Sequence, residues 1–243
     1  MCTLIVAWQV FEEAPICVAA NRDEAFGRPS TPPAVREGDP RIVAPRDEEA
    51  GGTWLGYNED GVLVAITNRW VEGEGERSRG LLVDDALSEP TARAAIDRVE
   101  TELDVREYAP FHLLAADGED ALLIEWGDVH RVTELDSGVH IVVNVGFDGE
   151  WFVPQMRPEA GRQQANNAER IRAELQPRDG ETAEAWTRRA GEILGDHEFG
   201  ACIHGDGFGT RSSSLVRLGG DRVFEFADGP PCETPFEPTE SRI

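Results

Sequence analysis

The stretch TLIVAWQVFEEAPICVAANRDE, residues 3–24, decides the fold of this chain. It holds two apolar runs, TLIVAWQV and ICVAA, which are short enough to be strands and rich in residues that favour strands. The polar residues between the two runs predict a turn, so we expect the runs to form a hairpin. The tetrapeptide NRDE (21–24) is expected to follow the second strand directly, beside the start of the first strand, where Cys2 lies.

Strand and turn signals continue beyond this hairpin. TWLGYNEDGVLVAITN (53–68) predicts a second hairpin around an Asn-Glu-Asp-Gly turn. The proline-rich segment before it, residues 27–52, is expected to be a loop. Residues 81–104 predict one helical stretch, with Ser88 or Thr91 as its N-cap.

The remaining sequence alternates between blocks of strands and blocks of helices. Four strands are predicted at 111–118, 120–127, 129–135 and 138–145, two helices at 158–175 and 181–194, and two strands at 212–219 and 221–229. This order is typical of an α+β protein rather than of alternating βαβ units. We therefore expect one domain over residues 1–243, with two antiparallel sheets packed face to face and covered by helices.

The composition is strongly acidic and excludes several classes of partner. There are 47 Asp and Glu residues against 23 basic residues, which are all Arg, and the formal net charge is -24. Such a surface suits a salt-rich cytosol, where salt screens the self-repulsion, so we expect a halophilic protein. Nucleic acids and anionic membranes need a basic footprint and are not expected as partners.

The sequence indicates a cytoplasmic protein. No apolar stretch is long enough for a transmembrane helix, and the first residues lack the basic and apolar regions of a signal peptide. The four cysteines show no paired spacing and are expected to be free thiols. Cys202-Ile203-His204 lacks a second ligand pair at structural-zinc spacing, so no metal and no cofactor are expected.

Cys2 has two interpretations. It is either a small buried apolar residue or, once Met1 is removed, an amino-terminal residue with a thiol and a free amine on one carbon. An α-amine with a reference pKa of about 7.7–8.0 can accept the thiol proton near neutral pH, and the thiolate then attacks a carbonyl. In this second case nucleophile and base belong to the same residue.

Such a site needs an acidic group near the amine and polar donors for the oxyanion. Asp23 is placed to reach the amine, and Arg22 shares the site only if the strand has already ended there, because neighbouring strand residues point to opposite faces. Asn68 and Asn144 each close a predicted strand, where a side-chain amide either donates to an oxyanion or caps a turn.

Several motifs in order carry a family resemblance: the opening MCTLIVAW, NRDE, the block APRDEEAGGTWLGYNEDGVLVAITNR, SRG (78–80) and FGTRSS (208–213). Together they resemble the NRDE family, which includes the eukaryotic transport and Golgi organisation protein 2. That family is similar to the cysteine branch of the N-terminal nucleophile hydrolases, which holds penicillin V acylase and bile salt hydrolase. The resemblance implies a four-layer αββα sandwich.

The resemblance also implies roles for individual residues. Cys2 matches the nucleophile of that branch, Asp23 the aspartate that orients the amine, Asn68 an oxyanion donor, and Asn144 the asparagine that contacts both amine and oxyanion. The branch has an arginine three residues before its aspartate, but this chain has Ala20 there, so Arg22 would act from a different position.

Three further residues are candidates for substrate binding. Arg211 offers a positive charge for a carboxylate or phosphate of an acyl substrate, or else forms a structural ion pair. Trp54 and Trp70 line a pocket or serve only in packing.

Two functions follow from these observations. The first is a cysteine amidohydrolase or acyltransferase that cleaves a linear C–N amide through an acyl-thioester on Cys2. The second is a binding or trafficking protein that keeps the fold without the chemistry, since family members are linked to haem handling and to lipid or acyl-coenzyme A metabolism. A fold alone does not decide between the two.

Overall fold

In the computed structural model, which describes residues 2–240 and 243, the chain forms two compact units. The first unit comprises Met1–Gly27 and Ser137–Thr239, and the second comprises Arg28–Asp136 and Glu240–Ile243. Each unit is built around its own antiparallel sheet.

Strands dominate both units, and the helices fall into two pairs along the chain. The strands are β1 (Thr3–Phe11), β2 (Ala14–Ala25), β3 (Ser30–Arg36), β4 (Ile42–Asp47), β5 (Leu55–Asn58), β6 (Leu63–Asn68), β7 (Phe111–Ala116), β8 (Ala121–Trp126), β9 (His130–Glu134), β10 (Gly138–Val143), β11 (Gly146–Phe147), β12 (Glu150–Trp151), β13 (Phe208–Leu218), β14 (Arg222–Ala227) and β15 (Glu237–Pro238). The helices are α1 (Arg79–Ala86), α2 (Ala92–Leu103), α3 (Pro158–Glu174) and α4 (Ala183–Gly195), followed by a short 3₁₀ helix at His197–Phe199.

The first unit has an eight-stranded sheet in the order β12-β11-β10-β1-β2-β13-β14-β15. Thr3 at the start of β1 pairs with Asn21 of β2 on one side and with Val143 of β10 on the other. Leu4, Ile5, Val6 and Ala7 are all buried, so β1 is covered on both faces. The register therefore brings the residue before β1, the NRDE part of β2 and the residue after β10 to the same end of these three strands.

Two helices pack on this sheet, α3 against β10 and α4 against β2 and β13. Trp186 of α4 is fully buried, and its indole nitrogen donates to the carbonyl oxygen of Leu175 at 2.8 Å. The Asn21 side-chain amide donates to the carbonyl oxygens of Leu194 at 3.1 Å and Ala201 at 3.0 Å. The end of α4 and the segment after it are thereby fixed to β2.

The second unit has a seven-stranded sheet in the order β3-β4-β5-β6-β7-β8-β9. Helices α1 and α2 pack against β6, β7 and β8. The buried side chains between these helices and the sheet include Leu82, Val83, Ile96, Val99 and Phe111. Ser78 caps α1 and Thr91 caps α2, each accepting from a backbone N–H of the first turn.

Most predicted elements are confirmed, including both hairpins, the four strands from 111 to 145 and the two later helices. The single helical stretch over 81–104 was wrong. The chain forms α1 and α2, separated around Pro90, because proline removes a backbone donor and cannot sit inside a helix.

The loop predicted for residues 27–52 was also wrong, because it contains β3 and β4. The prolines are tolerated since β3 is the edge strand of its sheet, and its pairing with β4 is irregular between Thr31 and Ala34, where Pro32 and Pro33 lie. NRDE was expected after the second strand but lies inside β2, which runs to Ala25 because β13 continues to pair with it.

Candidate active site at Cys2

Cys2 lies immediately before β1, at one end of the central strands of the first sheet. Its backbone nitrogen donates to Oδ1 of Asn144 at 3.0 Å, and its Sγ is 3.8 Å from the backbone carbonyl oxygen of Asp23. The pairing of Thr3 with Val143 explains the first contact, since it places Cys2 beside the residue that follows β10. The sequence motifs at the ends of β1, β2 and β10 thus meet in one place.

Asp23 is buried and lies opposite Thr210 of β13. The Thr210 hydroxyl donates to Oδ1 of Asp23 at 2.6 Å. Burial raises the pKa of the Asp23 carboxyl, and the hydrogen bond from Thr210 opposes that rise. A buried carboxyl of this kind is stabilised in its charged form by a nearby cation, and a protonated α-amine on Cys2 has the right charge.

Asn144 is oriented by a second donor. The side-chain amide of Gln164, from α3, donates to the same Oδ1 at 3.0 Å, and both Asn144 and Gln164 are buried. Two donors on one oxygen fix which end of the Asn144 amide faces Cys2. The nitrogen of that amide is then the group able to donate to a developing oxyanion.

The thiol of Cys2 is not an activated one in this setting. Burial raises its pKa, and the carboxylate of Asp23 adds to the rise. A thiol with a raised pKa holds its proton at neutral pH and needs a base to become a nucleophile. Whether Cys2 has such a base therefore depends on whether its nitrogen is a free amine. Met1 lies outside the described residues, so its removal stays a prediction.

Arg22 is separated from Asp23 by the pleat of β2. Because NRDE continues the strand, the side chains of Arg22 and Asp23 alternate between the faces of the sheet. Both still act on Cys2, since the charge of Arg22 lowers the pKa of its thiol and that of Asp23 raises it. Arg22 is buried and lies 3.9 Å from the carboxylate of Glu24, two positions along the same face.

The remaining candidates are described within their own units. Arg211 is next to Thr210 in β13 and forms an ion pair of 3.0 Å with Asp228, which is the structural alternative considered from the sequence. Asn68 closes β6 and is exposed, and Trp54 and Trp70 are partly buried. These last three residues belong to the second unit, so within the first unit the structure brings together Cys2, Asp23 and Asn144.

Two residues of the site were missed by sequence reasoning. Thr210 lies within the FGTRSS motif, so a signal for it was present, but nothing in that motif indicates that its hydroxyl reaches Asp23. Gln164 lies in the middle of a polar helix, where nothing in the sequence sets it apart from its neighbour Gln163.

Solved structures of an amidase, a hydrolase and an acylase have a fold similar to that of this chain. An N-acylethanolamine-hydrolysing acid amidase orthologue from Caenorhabditis elegans matches with a TM-score of 0.60 at 15% identity over 88% of this chain and 92% of that one. Conjugated bile acid hydrolase from Clostridium perfringens matches with a TM-score of 0.55 at 11% identity, over 94% and 89% of the two chains. Penicillin V acylase from Agrobacterium tumefaciens matches with a TM-score of 0.51 at 13% identity, over 93% and 83%. The chain thus has the αββα fold of the N-terminal nucleophile hydrolases.

Sequence similarity identifies the family. The family model for Transport and Golgi organisation 2 matches residues 1–228, so the chain belongs to this family. A mouse Transport and Golgi organization 2 homologue is 37% identical over 109 residues, which are 42% of this chain and 38% of that protein. A homologue from Bos taurus is 34% identical over 120 residues, 47% and 41% of the two chains, so less than half of each relative is matched. Among the described residues, no helix has both the length and the apolar character needed to cross a bilayer.

Proposed function

We propose that this protein is an N-terminal-cysteine amidohydrolase or acyltransferase that cleaves a linear C–N amide through an acyl-thioester on Cys2. The observation that carries the proposal is the hydrogen bond of 3.0 Å from the Cys2 nitrogen to Asn144. This bond lies beside a buried carboxyl, that of Asp23, which favours a positive charge nearby. The fold it shares with amidases and acylases is consistent with this chemistry.

The first half of the reaction forms the thioester. With Cys2 as the amino-terminal residue, its α-amine takes the thiol proton, and the thiolate attacks the amide carbonyl carbon. Asn144 and Asn68 are proposed to donate to the oxyanion of the tetrahedral intermediate. The Cys2 ammonium then gives its proton to the leaving nitrogen as the C–N bond breaks, which leaves the acyl group on sulfur.

The second half releases the acyl group. A water, or another acceptor in the case of acyl transfer, attacks the thioester carbonyl while the α-amine of Cys2 takes its proton. Collapse of this intermediate frees the product and returns the thiol. Asp23 acts throughout as the carboxylate that holds the amine in place, and Thr210 keeps that carboxylate oriented.

Acyl-enzyme trapping tests the proposal. The protein with Cys2 as its amino-terminal residue is incubated with a panel of N-acyl amides, quenched in acid and measured by intact mass. We expect an adduct of one acyl group that maps to Cys2. Cys2→Ala is the negative control, and Asn68→Ala is expected to slow adduct formation by roughly 10²–10³-fold as for loss of one oxyanion donor.

The alternative function gives the opposite result. If Met1 is retained, the Cys2 nitrogen is an amide without base strength, no adduct forms, and the proposal fails. Spectroscopic titration with haem and calorimetry with an acyl-coenzyme A then test a binding or trafficking role, for which an unchanged affinity in Cys2→Ala is expected.

A further inference from the structure

A second cluster of reactive side chains lies in the first unit. It consists of His197 in the 3₁₀ helix after α4, Cys202 and His204 in the segment that leads to β13, and Cys232 in the turn after β14. One ligand atom from each of His197, His204 and Cys232 lies within 4.8 Å of the others. Three separate parts of the chain therefore bring imidazole and thiol groups to one place.

The distances in this cluster are close to those between the ligands of a tetrahedral metal site. His204 Nε2 is 3.1 Å from Cys232 Sγ, and Cys202 Sγ is 3.5 Å from each of these two atoms. A tetrahedral zinc ion with Zn–S of about 2.3 Å and Zn–N of about 2.0 Å separates its ligand atoms by roughly 3.3–3.8 Å. The three atoms therefore outline one face of such a tetrahedron.

His197 is the fourth candidate ligand, with a ligand atom within 4.8 Å of those of His204 and Cys232. Its ring centroid is 5.1 Å from that of His204, with the two rings tilted by 44°. Two thiols and two imidazoles are a ligand set that prefers zinc and other late first-row metals to magnesium or calcium. Four protein ligands leave no open position for water or substrate, which is typical of a structural rather than a catalytic metal.

We propose that Cys202, His204, Cys232 and His197 form a structural zinc-type site. This proposal goes beyond the amidohydrolase function and does not depend on it.

The backbone around the ligands is already held by hydrogen bonds. Ile203, between two of the ligands, donates to the Thr210 hydroxyl at 2.9 Å and accepts from the Thr210 nitrogen at 2.8 Å. On the far side, the nitrogens of Glu233 and Thr234 donate to the carbonyl oxygen of Pro230, which forms the turn that carries Cys232. The ligands thus project from ordered turns, which lowers the entropy lost when a metal binds.

The position of this site suggests what the metal does. It would join the segment after α4, the entry to β13 and the turn after β14. Thr210 is the link to the candidate active site, because it contacts Ile203 and also donates to Asp23 at 2.6 Å. The metal would therefore hold the segment that orients Asp23.

Cobalt(II) substitution tests the proposal directly. The full-length, reduced protein is titrated anaerobically with Co²⁺, and we expect a saturating visible absorption typical of tetrahedral cobalt together with a thiolate charge-transfer band. The absorption should saturate at one ion per chain, disappear when Zn²⁺ is added, and be accompanied by a rise in melting temperature with Zn²⁺.

Matched variants assign the site. Cys232→Ser and His204→Gln, which change exposed residues on two different segments, are expected to weaken Co²⁺ binding by at least 10-fold and to abolish the stabilisation by Zn²⁺. Cys17→Ala and the exposed-histidine variant His130→Gln serve as controls and should bind Co²⁺ as the unmodified protein does. Circular dichroism confirms that each variant is folded. If only one of the two ligand variants folds, its loss of Co²⁺ binding is sufficient to test the site.

Three outcomes would overturn the proposal. The first is the absence of a saturable absorption band. The second is equal binding in the controls and in both ligand variants, or a band lost only in Cys2→Ala. The third is a Cys202–Cys232 disulfide that persists in glutathione at a cytosolic ratio, which would make the pair a redox couple instead. None of these measurements depends on amide hydrolysis, so the metal site and the proposed activity can fail independently.

Discussion

The β1–β2 hairpin carries two thiols in contrasting settings. Cys17 lies in β2 opposite Ala7, is fully buried, and donates to the carbonyl oxygen of Ala14 at 3.6 Å. Burial raises its pKa to about 12. Cys2 lies at the open end of the same hairpin, and burial raises the pKa of its thiol as well.

The difference between the two thiols is in what surrounds them. The Cys2 nitrogen meets the Asn144 amide, and its sulfur meets the backbone of Asp23, whose carboxyl is held by Thr210. Cys17 is in mid-strand, where its nitrogen is always a peptide nitrogen. Burial alone makes a thiol inert, and a base together with oriented polar groups is what makes a buried thiol a candidate nucleophile.

Removal of each sulfur in turn is expected to separate the two thiols most clearly. Cys2→Ala is expected to lower amide hydrolysis by at least 10³-fold, since the covalent route is lost. Cys17→Ala is the matched control, and its turnover number should stay within about 2-fold of the unmodified enzyme because Cys17 only fills space. Initial rates on the best N-acyl amide measure both variants, and equal losses in the two would show that the comparison is mistaken.

Removal of the Asn144 amide is expected to have the next largest effect. Asn144→Ala loses the acceptor for the Cys2 nitrogen and a proposed oxyanion donor, so kcat should fall by roughly 10²–10³-fold. Steady-state kinetics measure this, with the exposed Asn166→Ala of α3 as control. An unchanged kcat in Asn144→Ala would exclude Asn144 from the mechanism.

Thr210→Val tests the role assigned to Asp23, because it removes the hydroxyl group and keeps the shape of the side chain. The hydrogen bond from Thr210 opposes the rise of the Asp23 pKa, so its loss raises that pKa further. The ionised carboxyl then forms only at higher pH, and the acid limb of the kcat/KM profile should move to higher pH.

Near neutral pH we expect Thr210→Val to lower activity by about 10-fold, in line with the loss of a hydrogen bond to a charged group. Thr133→Val in β9 of the second unit is the control. A uniform loss of activity at every pH, with the profile in place, would mean that Thr210 has only a structural role.

Gln164→Leu is expected to have the smallest effect of the four. It removes the second donor to Asn144 Oδ1 but leaves the Cys2 contact intact, so the amide is less firmly oriented and kcat should fall by roughly 3–10-fold. Gln163→Leu, an exposed neighbour on α3, is the matched control. A loss as large as that of Asn144→Ala would show that Gln164 does more than orient the amide.

The sequence was sufficient to predict most of the fold, because its signals there are local. Short apolar runs and turn residues identified both hairpins, and the segments that became α3 and α4 were predicted as helices. It failed where pairing with a distant strand overrides local preference. Proline-rich residues became β3 at a sheet edge, and NRDE stayed in β2 because β13 pairs with it.

The candidate site was predictable to the extent that it lies in short motifs. Cys2, Asp23 and Asn144 stand next to strand ends that the sequence reveals, and the sheet register brings them together. The sequence does not single out Gln164, because its contact with Asn144 depends on how α3 packs against β10. The sequence shows Cys202 and His204 as a pair but not their proposed partners, since Cys232 meets Cys202 only through the path of the chain in space.

One measurement tests the central claim most directly: the intact mass of protein made in a closely related host, followed by the pH profile of iodoacetamide alkylation at Cys2 and Cys17. We expect the mass to lack one methionine and Cys2 to react faster than Cys17 near pH 8, because the freed α-amine can take the proton of the Cys2 thiol. Burial, by contrast, raises the pKa of the Cys17 thiol to about 12. A retained Met1 with a Cys2 thiol as slow as that of Cys17 would contradict the assignment of Cys2 as the nucleophile.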